Sequence, residues 1–357
     1  MMDKSGDNLY LALEALEKEK NIPKDYMLEK IRQALTAAYR REYASEADVD
    51  FVMDPKTMTM RMFELKTVAD PVEYPDRQIT AEEAKAVAGV KNPAVGDVVR
   101  LEVNTRQFGR IAAQTAKQVI IQGIRESERG TIYREYASKE QEILTAQVIK
   151  IDRRTGNMIL TLPGSSEEQT FVLPPAEQIK GELINEGDRI KVYLVGVQRA
   201  VKGPQLQISR SHPGLVRRLF EMEVPEIFDG VVEIVNVARE AGLRSKIAVK
   251  AADPNVDPVG ACVGPKGARV ANIVNELRGE KIDIVKYSDD PAEYVAAALA
   301  PATVLRVDTV DGKNCTAIVA DEQLSLAIGR EGQNARLAAK LTGYRIDIKP
   351  QSEVAGA

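Results

Sequence analysis

Two stretches near the C-terminal end of this 357-residue chain repeat one another. The first runs Val263-Gly264-Pro265-Lys266-Gly267, an apolar helical run through Val270, Ile273, Val274 and Leu277, then Gly279-Glu280-Lys281-Ile282-Asp283-Ile284. The second runs Ile328-Gly329-Arg330-Glu331-Gly332, then Leu337, Ala338 and Leu341, then Gly343-Tyr344-Arg345-Ile346-Asp347-Ile348. The Gly-x-x-Gly units lie 65 residues apart and the Ile-Asp-Ile units 64 apart. So even a spacing demands two small domains of one fold, each supplying its own core. A strand-like run precedes each copy (246–252 and 317–320), with room for a short helix before the glycines.

This pattern suits a grip on a polynucleotide. Two glycines at a junction between helices carry no Cβ, so a sugar-phosphate backbone can come close. Backbone N–H groups at the following helix start favour an anion, and Lys266, Arg269 and Arg330 can add charge-assisted contacts. The Ile-Asp-Ile strand is expected to form one wall of an apolar groove. Such a loop, clamping about four nucleotides, defines the KH design. A single Gly-x-x-Gly is by default an ordinary turn; two in one context reverse that default. Neither copy has the Gly-x-x-x-x-Gly-Lys-Ser/Thr spacing of a nucleotide-binding P-loop. Glu331 sets a carboxylate beside the phosphate seat, so the second loop is expected to be the weaker electrostatic grip.

Composition narrows the remainder. The net charge of −4 excludes a chain that coats polyanions globally. The first hundred residues hold 15 Lys+Arg against 19 Asp+Glu, which suits a basic protein partner better than RNA. Residues 101–208 hold 15 against 13 and are the mildly basic part. One His and two Cys are too few for a zinc cluster of those ligands, and no cofactor is expected. With no secretory signal and no apolar run of membrane-spanning length, a soluble cytoplasmic protein is expected, with no membrane contact.

Upstream, Met27, Leu28, Ile31, Leu35, Ala38 and Tyr39 recur at helical spacing after Pro23. Runs at 49–53 and 58–65 predict a hairpin around Asp54-Pro55-Lys56-Thr57. Met58, Met60 and Met62 alternate as one strand face, Thr80-Ala81-Glu82-Glu83 fits a capping box, and 98–103 reads as a returning strand. Residues 105–128 read as one helix of roughly 36 Å, which serves equally as a spacer between bodies or as part of one domain. Short strands at 143–152, 157–162, 168–173 and 189–198 predict a small five-stranded OB-type β-barrel. Its only aromatics are Phe171 and Tyr193, so a mainly structural role is expected for it.

The stretch Thr105-Arg106-Gln107-Phe108-Gly109-Arg110-Ile111-Ala112-Ala113-Gln114-Thr115-Ala116-Lys117-Gln118-Val119-Ile120 resembles the linker helix of the NusA family of bacterial transcription termination/antitermination factors. Leu206-Gln207-Ile208-Ser209-Arg210-Ser211-His212-Pro213, Val224-Pro225-Glu226-Ile227 and Asp321-Glu322-Gln323-Leu324-Ser325-Leu326-Ala327-Ile328-Gly329 resemble later parts of the same family. The resemblance implies an α+β multidomain chain. Its α/β N-terminal RNA polymerase-binding domain would occupy 1–104 and a linker helix 105–130. An S1 (OB-type) β-barrel would follow at 135–208, then two tandem KH domains at 209–300 and 301–350 and a tail at 351–357. It implies RNA-binding residues Gly264, Pro265, Lys266 and Gly267 in the first copy, and Gly329, Arg330, Glu331, Gly332, Gln333 and Asn334 in the second; Arg269 joins them on its charge alone. The implied partners are RNA polymerase, nascent single-stranded RNA, other Nus factors and ribosomal protein S10. The implied role is to modulate pausing, termination and antitermination.

Two other classes compete. A phosphorolytic RNA enzyme needs a catalytic constellation, and the sequence offers no nucleophile–base pair around His212 and no metal-ligand cluster. His212-Pro213 reads as a turn before a helix, and Asp289-Asp290 as a loop and helix start before Pro291. A ribosome-associated or general single-stranded RNA-binding protein without polymerase docking leaves the acidic first hundred residues unexplained.

Overall fold

The computed structural model describes residues 13–18, 22–43, 46–53, 60–87, 90–103, 105–162, 170–200, 203–309 and 312–354. It divides into two compact units, Met1–Arg134 and Glu135–Ala357.

In the first unit, helix α1 (Lys24–Tyr43) buries Met27, Ile31, Leu35, Ala38 and Tyr39, the stripe that the spacing predicts. Asp25 in its first turn and Arg40 and Arg41 in its last complement the helix dipole. Strands β1 (Asp48–Met53) and β2 (Met60–Val68) pair antiparallel, as the expected hairpin requires. The turn residues 54–57 and Met58 lie outside the described residues. Met62 is buried, which accounts for its place in the alternation. Strand β3 (Gln78–Ile79) leads into α2 (Ala81–Val87) through the expected capping box. There Glu83 N–H donates to Thr80 Oγ1 at 3.2 Å, and Thr80 N–H donates to Glu83 Oε2 at 3.3 Å. Strand β4 (Val98–Glu102) returns antiparallel to β2.

Helix α3 (Thr105–Ala137) continues well past residue 128. Its Ile111, Val119, Ile120 and Ile124 pack with buried Ala116 against the α1 stripe, so this part of the helix belongs to the N-terminal core. Gly123 is the point of close approach: a Cβ there would stand 2.6 Å from Met27 Sδ. Glycine's lower helix propensity is offset by the tighter packing it permits.

The second unit opens with β5 (Ile143–Ile151), β6 (Met158–Thr161), β7 (Phe171–Leu173), β8 (Arg189–Ala200) and β9 (Gly203–Ser209). Their order is β7-β6-β5-β8-β9 with antiparallel neighbours, and β7 approaches β9, so the sheet curls into a nearly closed barrel. Val148, Leu160, Leu173, Val192, Leu194 and Ile208 fill it. Strand β9, which opens on Gly203-Pro204, is the fifth strand that the sequence pattern did not delimit.

Two copies of one α-β-β-α-α-β module follow. The first comprises α4 (Pro213–Glu223), a short α5 (Pro225–Phe228), β10 (Val232–Glu240), β11 (Arg244–Ala251), α6 (Pro258–Val263), α7 (Ala268–Glu276) and β12 (Lys281–Lys286). The second comprises α8 (Pro291–Ala298), β13 (Val304–Thr309), β14 (Asn314–Val319), α9 (Leu324–Ile328), α10 (Gln333–Thr342) and β15 (Arg345–Pro350), with α11 (Gln351–Val354) after it. In each, the central strand is antiparallel to the one before it and parallel to the last. The repeat therefore reaches one helix further upstream than its sequence landmarks. Helix α8, which a boundary at 300 leaves with the first copy, opens the second, because Val295, Ala298 and Leu299 share a core with Cys315, Ala317 and Leu337.

The two copies differ in what covers their sheets. In the first, Ile234, Ile247 and Val249 meet that module's own Leu215, Leu219, Phe220, Ile273 and Leu277. Its opposite face, Ala238, Ala248 and Val285, is covered by Tyr294, Val295, Leu337, Ala338 and Leu341 of the second copy. The matching register positions of the second sheet hold Asp308, Ile318 and Lys349, a more polar set. Lys246, fully buried, crosses the seam: its Nζ donates to Asp283 Oδ2 at 2.9 Å and to the Ala300 carbonyl at 2.7 Å.

Buried ion pairs join the barrel to the first module. Arg210 Nε donates to Glu182 Oε2 at 2.8 Å, and both side chains are buried. Arg239 Nη1 donates to the carbonyls of Arg210 and His212 at 2.7 and 2.9 Å. Glu280 in turn accepts from Arg239 Nη2 at 2.8 Å, from Ser245 Oγ at 2.6 Å and from Gly242 N–H at 2.8 Å. Each charge is matched and hydrogen-bonded, the condition under which buried ions are tolerated, and removing one partner strands the other.

Candidate nucleic-acid interface

The duplication extends to backbone torsions. Gly264 has φ 72°, ψ 176° and Gly329 has φ 74°, ψ 173°. Lys266 and Glu331, at the same place in each loop, have φ 52°, ψ 26° and φ 54°, ψ 25°. Gly267 and Gly332 close the loops at φ 76°, ψ 14° and φ 73°, ψ 14°. Each loop lies between the helices that the sequence leads one to expect, α6 and α7 or α9 and α10.

The two glycines of a loop face different things. A Cβ on Gly264 would meet Arg269 Cγ at 2.6 Å, and one on Gly329 would meet Asn334 Cβ at 2.8 Å. A Cβ on Gly267 would meet nothing within 4 Å, and on Gly332 only Arg336 Nη1 at 3.4 Å. The first glycine thus makes room for the protein's own side chain. Only the last is open to a strand from outside.

This divides the expected site residues. Pro265, Lys266, Arg330 and Glu331 are exposed at the loop tips. Arg269 is committed inward: its Nη1 donates to Glu226 Oε2 at 2.8 Å and to the Ala261 carbonyl at 2.6 Å. Asn334 occupies the equivalent position and is buried, its Nδ2 donating to the carbonyls of Leu299 at 2.9 Å and Ala327 at 3.0 Å. Both brace their loops from behind, a role set by packing five residues after the first glycine and invisible in residue type. Gln333 turns to the first module, donating to Glu240 Oε2 at 2.9 Å.

One further expectation is corrected. The N–H groups of Gly267 and Ala268 are not open to an anion: they donate to the carbonyls of Gly264, at 3.1 Å, and Pro265. Gly332 and Gln333 repeat this pattern. The Ile-Asp-Ile strands are only partly buried, and in the second copy Ile346 and Asp347 line a cavity with Cys315, Thr316 and Arg345. Ile282 and Ile284 pack on the first module's core, Ile346 and Ile348 on the second's. Asp283 takes a two-pronged contact from Arg244, Nε at 2.7 Å and Nη2 at 2.9 Å, besides Lys246. Burial pushes its pKa up, but those cations prevail and hold it below the usual carboxylate range.

Both barrel aromatics are buried. Phe171 packs edge-on to Tyr136 at 6.0 Å, and Tyr193 stacks on His212 at 4.8 Å over Gly214. His212 caps α4, its Nδ1 accepting from Gly214 N–H at 3.0 Å, and burial lowers its pKa. Cys262, behind the first loop, is a buried thiol whose pKa burial raises to about 12. Among the described residues no three His, Cys, Asp or Glu side chains gather as a metal site.

Family models match three parts of the chain: a NusA N-terminal domain over 8–130, a NusA-like first KH domain over 210–287 and a NusA-like second KH domain over 291–355. The chain belongs to the NusA family. The transcription termination/antitermination protein NusA of Bacillus subtilis is 52% identical over 343 residues, 96% of this chain and 90% of that one. Those of Mycobacterium tuberculosis and Thermus thermophilus are 44% and 41% identical over 95% of this chain, and 92% and 88% of their own lengths. The solution structure of the N-terminal domain of NusA from B. subtilis is 43% identical and covers 35% of this chain and 98% of that domain, with a TM-score of 0.31. The second KH match begins at 291, with the start of α8. The NusA-family architecture of N-terminal domain, OB-type barrel and two KH domains is the one expected from the sequence. Among the described residues no helix is long and apolar enough to cross a membrane.

Proposed function

We propose that this member of a transcription termination/antitermination family acts without enzymatic chemistry, as a cytoplasmic bridge between RNA polymerase and the emerging transcript. The N-terminal unit docks on polymerase. Single-stranded RNA lies across the two KH loops, with Lys266 and Arg330 at their tips and Gly267 and Gly332 as the bare surfaces. Pausing, termination and antitermination then respond to how long the transcript is held, together with other Nus factors and ribosomal protein S10. The observation that carries this is the pair of loops with matching torsions on modules that share one packed core. The test is the double substitution Gly267→Asp with Gly332→Asp, assayed by filter binding to single-stranded RNA and by pull-down with core polymerase. RNA binding should weaken while polymerase binding persists; unchanged RNA affinity would refute the clamp.

A further inference from the structure

The second loop carries Glu331 where the first carries Lys266, a reversal of charge at its tip. Its surroundings carry a second difference. Arg336, whose counterpart in the first module is Ala271, places Nη1 3.4 Å from where a Gly332 Cβ would stand. The same nitrogen donates to the Glu331 carbonyl at 2.5 Å. Arg336 Nε donates to Glu240 Oε1 at 3.1 Å, and Glu240 Oε2 takes Gln333 Nε2 at 2.9 Å. Glu240 ends β10 of the first module, so a carboxylate of one KH domain orients the cation beside the open glycine of the other. The Arg336 side chain keeps 51% of its exposure, and Glu240 only 19%. An exposed guanidinium with donors to spare is available to a third acceptor.

The geometry points to Arg336 as a second phosphate-binding cation of the second loop beside Arg330, restoring from the helix the charge that Glu331 cancels at the tip, with Glu240 as its positioning residue. This rests on the RNA reading above. It makes the second seat depend on the edge of the first domain, so the two grips are set as one. The first loop needs no such device, because Lys266 already supplies its charge.

The test uses the full chain and single-stranded RNA, with affinity measured across a salt series. Arg336→Ala should weaken binding about tenfold, the worth of one charge-assisted contact. It should also make the slope of log K against log salt shallower by about 0.7, the loss of one phosphate. In a Gly332→Asp background the same substitution should have almost no further effect, since the seat is already closed. Arg336→Lys keeps the charge but not the fork, and should keep the slope while losing part of the affinity. Thermal unfolding of Arg336→Ala should stay close to wild type, because Arg336 is half exposed and Glu240 keeps its bond from Gln333. An unchanged salt slope in Arg336→Ala, or an equal loss in the Gly332→Asp background, would overturn the assignment. If instead the double Asp variant binds RNA like the wild type, the clamp itself falls; if that variant fails to bind while Arg336→Ala binds normally, only the role of Arg336 falls.

Discussion

Substituting the two glycines of the first loop one at a time separates bracing from binding. Gly264 sits at φ 72°, ψ 176°, a region that other residues enter at a cost of about 1–3 kcal/mol. A methyl there would also stand 2.6 Å from Arg269 Cγ. Arg269 cannot move aside without loosening its 2.8 Å contact to Glu226 and its 2.6 Å contact to the Ala261 carbonyl. Losing one such charged hydrogen bond costs about 1.5–3 kcal/mol. Together Gly264→Ala should destabilise the second unit by about 3–5 kcal/mol. Gly267, at φ 76°, ψ 14° with open space around it, should cost about 1–2 kcal/mol when changed to Ala. Urea unfolding followed by circular dichroism reads the difference as a shift in midpoint at constant slope. Adding Arg269→Ala to Gly264→Ala should cost less than Arg269→Ala alone, because the clash and the brace are one interaction. Equal destabilisation by the two glycine substitutions, or strict additivity with Arg269→Ala, would refute the inward role of Gly264.

Two further outcomes follow from the second unit. His212 is the sole histidine, so its imidazole titration is readable directly by NMR and should fall below the ordinary 6.5. Its folded pKa is depressed by burial, so the stability it confers is complete above 6.5 and is lost as pH falls below that value. His212→Asn, which can still cap α4, should flatten that part of the stability profile; an unchanged profile would contradict it. A fragment spanning 135–357 should keep RNA binding and lose polymerase binding, checked by the same two assays. Cutting near residue 107 is a poorer choice, because it leaves Ile111, Val119, Ile120 and Ile124 without the α1 surface they cover.

What the sequence made legible was local. Helix α1, the Thr80–Glu83 cap, the β1–β2 pairing and both glycine loops were readable because spacing, capping chemistry and missing side chains act within a few residues. What stayed hidden depended on distant partners. Arg269 and Asn334 look like ligands in a list of residue types, yet each braces a loop against carbonyls of its own module. Arg336 carries no motif and acquires its place from Glu240, 96 residues away. The buried Arg210, Arg239 and Lys246 could not be expected inside, since charged residues enter a core only with partners that sequence spacing does not reveal. Gly123, a residue of low helix propensity, owes its place to Met27 packed against it. The repeat's recognisable residues all lie after its first strand, so the sequence pattern leaves helix α8 with the first module.

The grip itself is tested most directly by the salt dependence of RNA binding, compared between the wild type and Gly267→Asp/Gly332→Asp. Contact with about 3–5 phosphates gives the wild type a slope of about −2 to −3.5. In the double variant the affinity should drop and the slope should become markedly shallower, with polymerase capture unchanged. Superimposable salt plots for the two proteins would contradict a transcript held at the paired glycine loops.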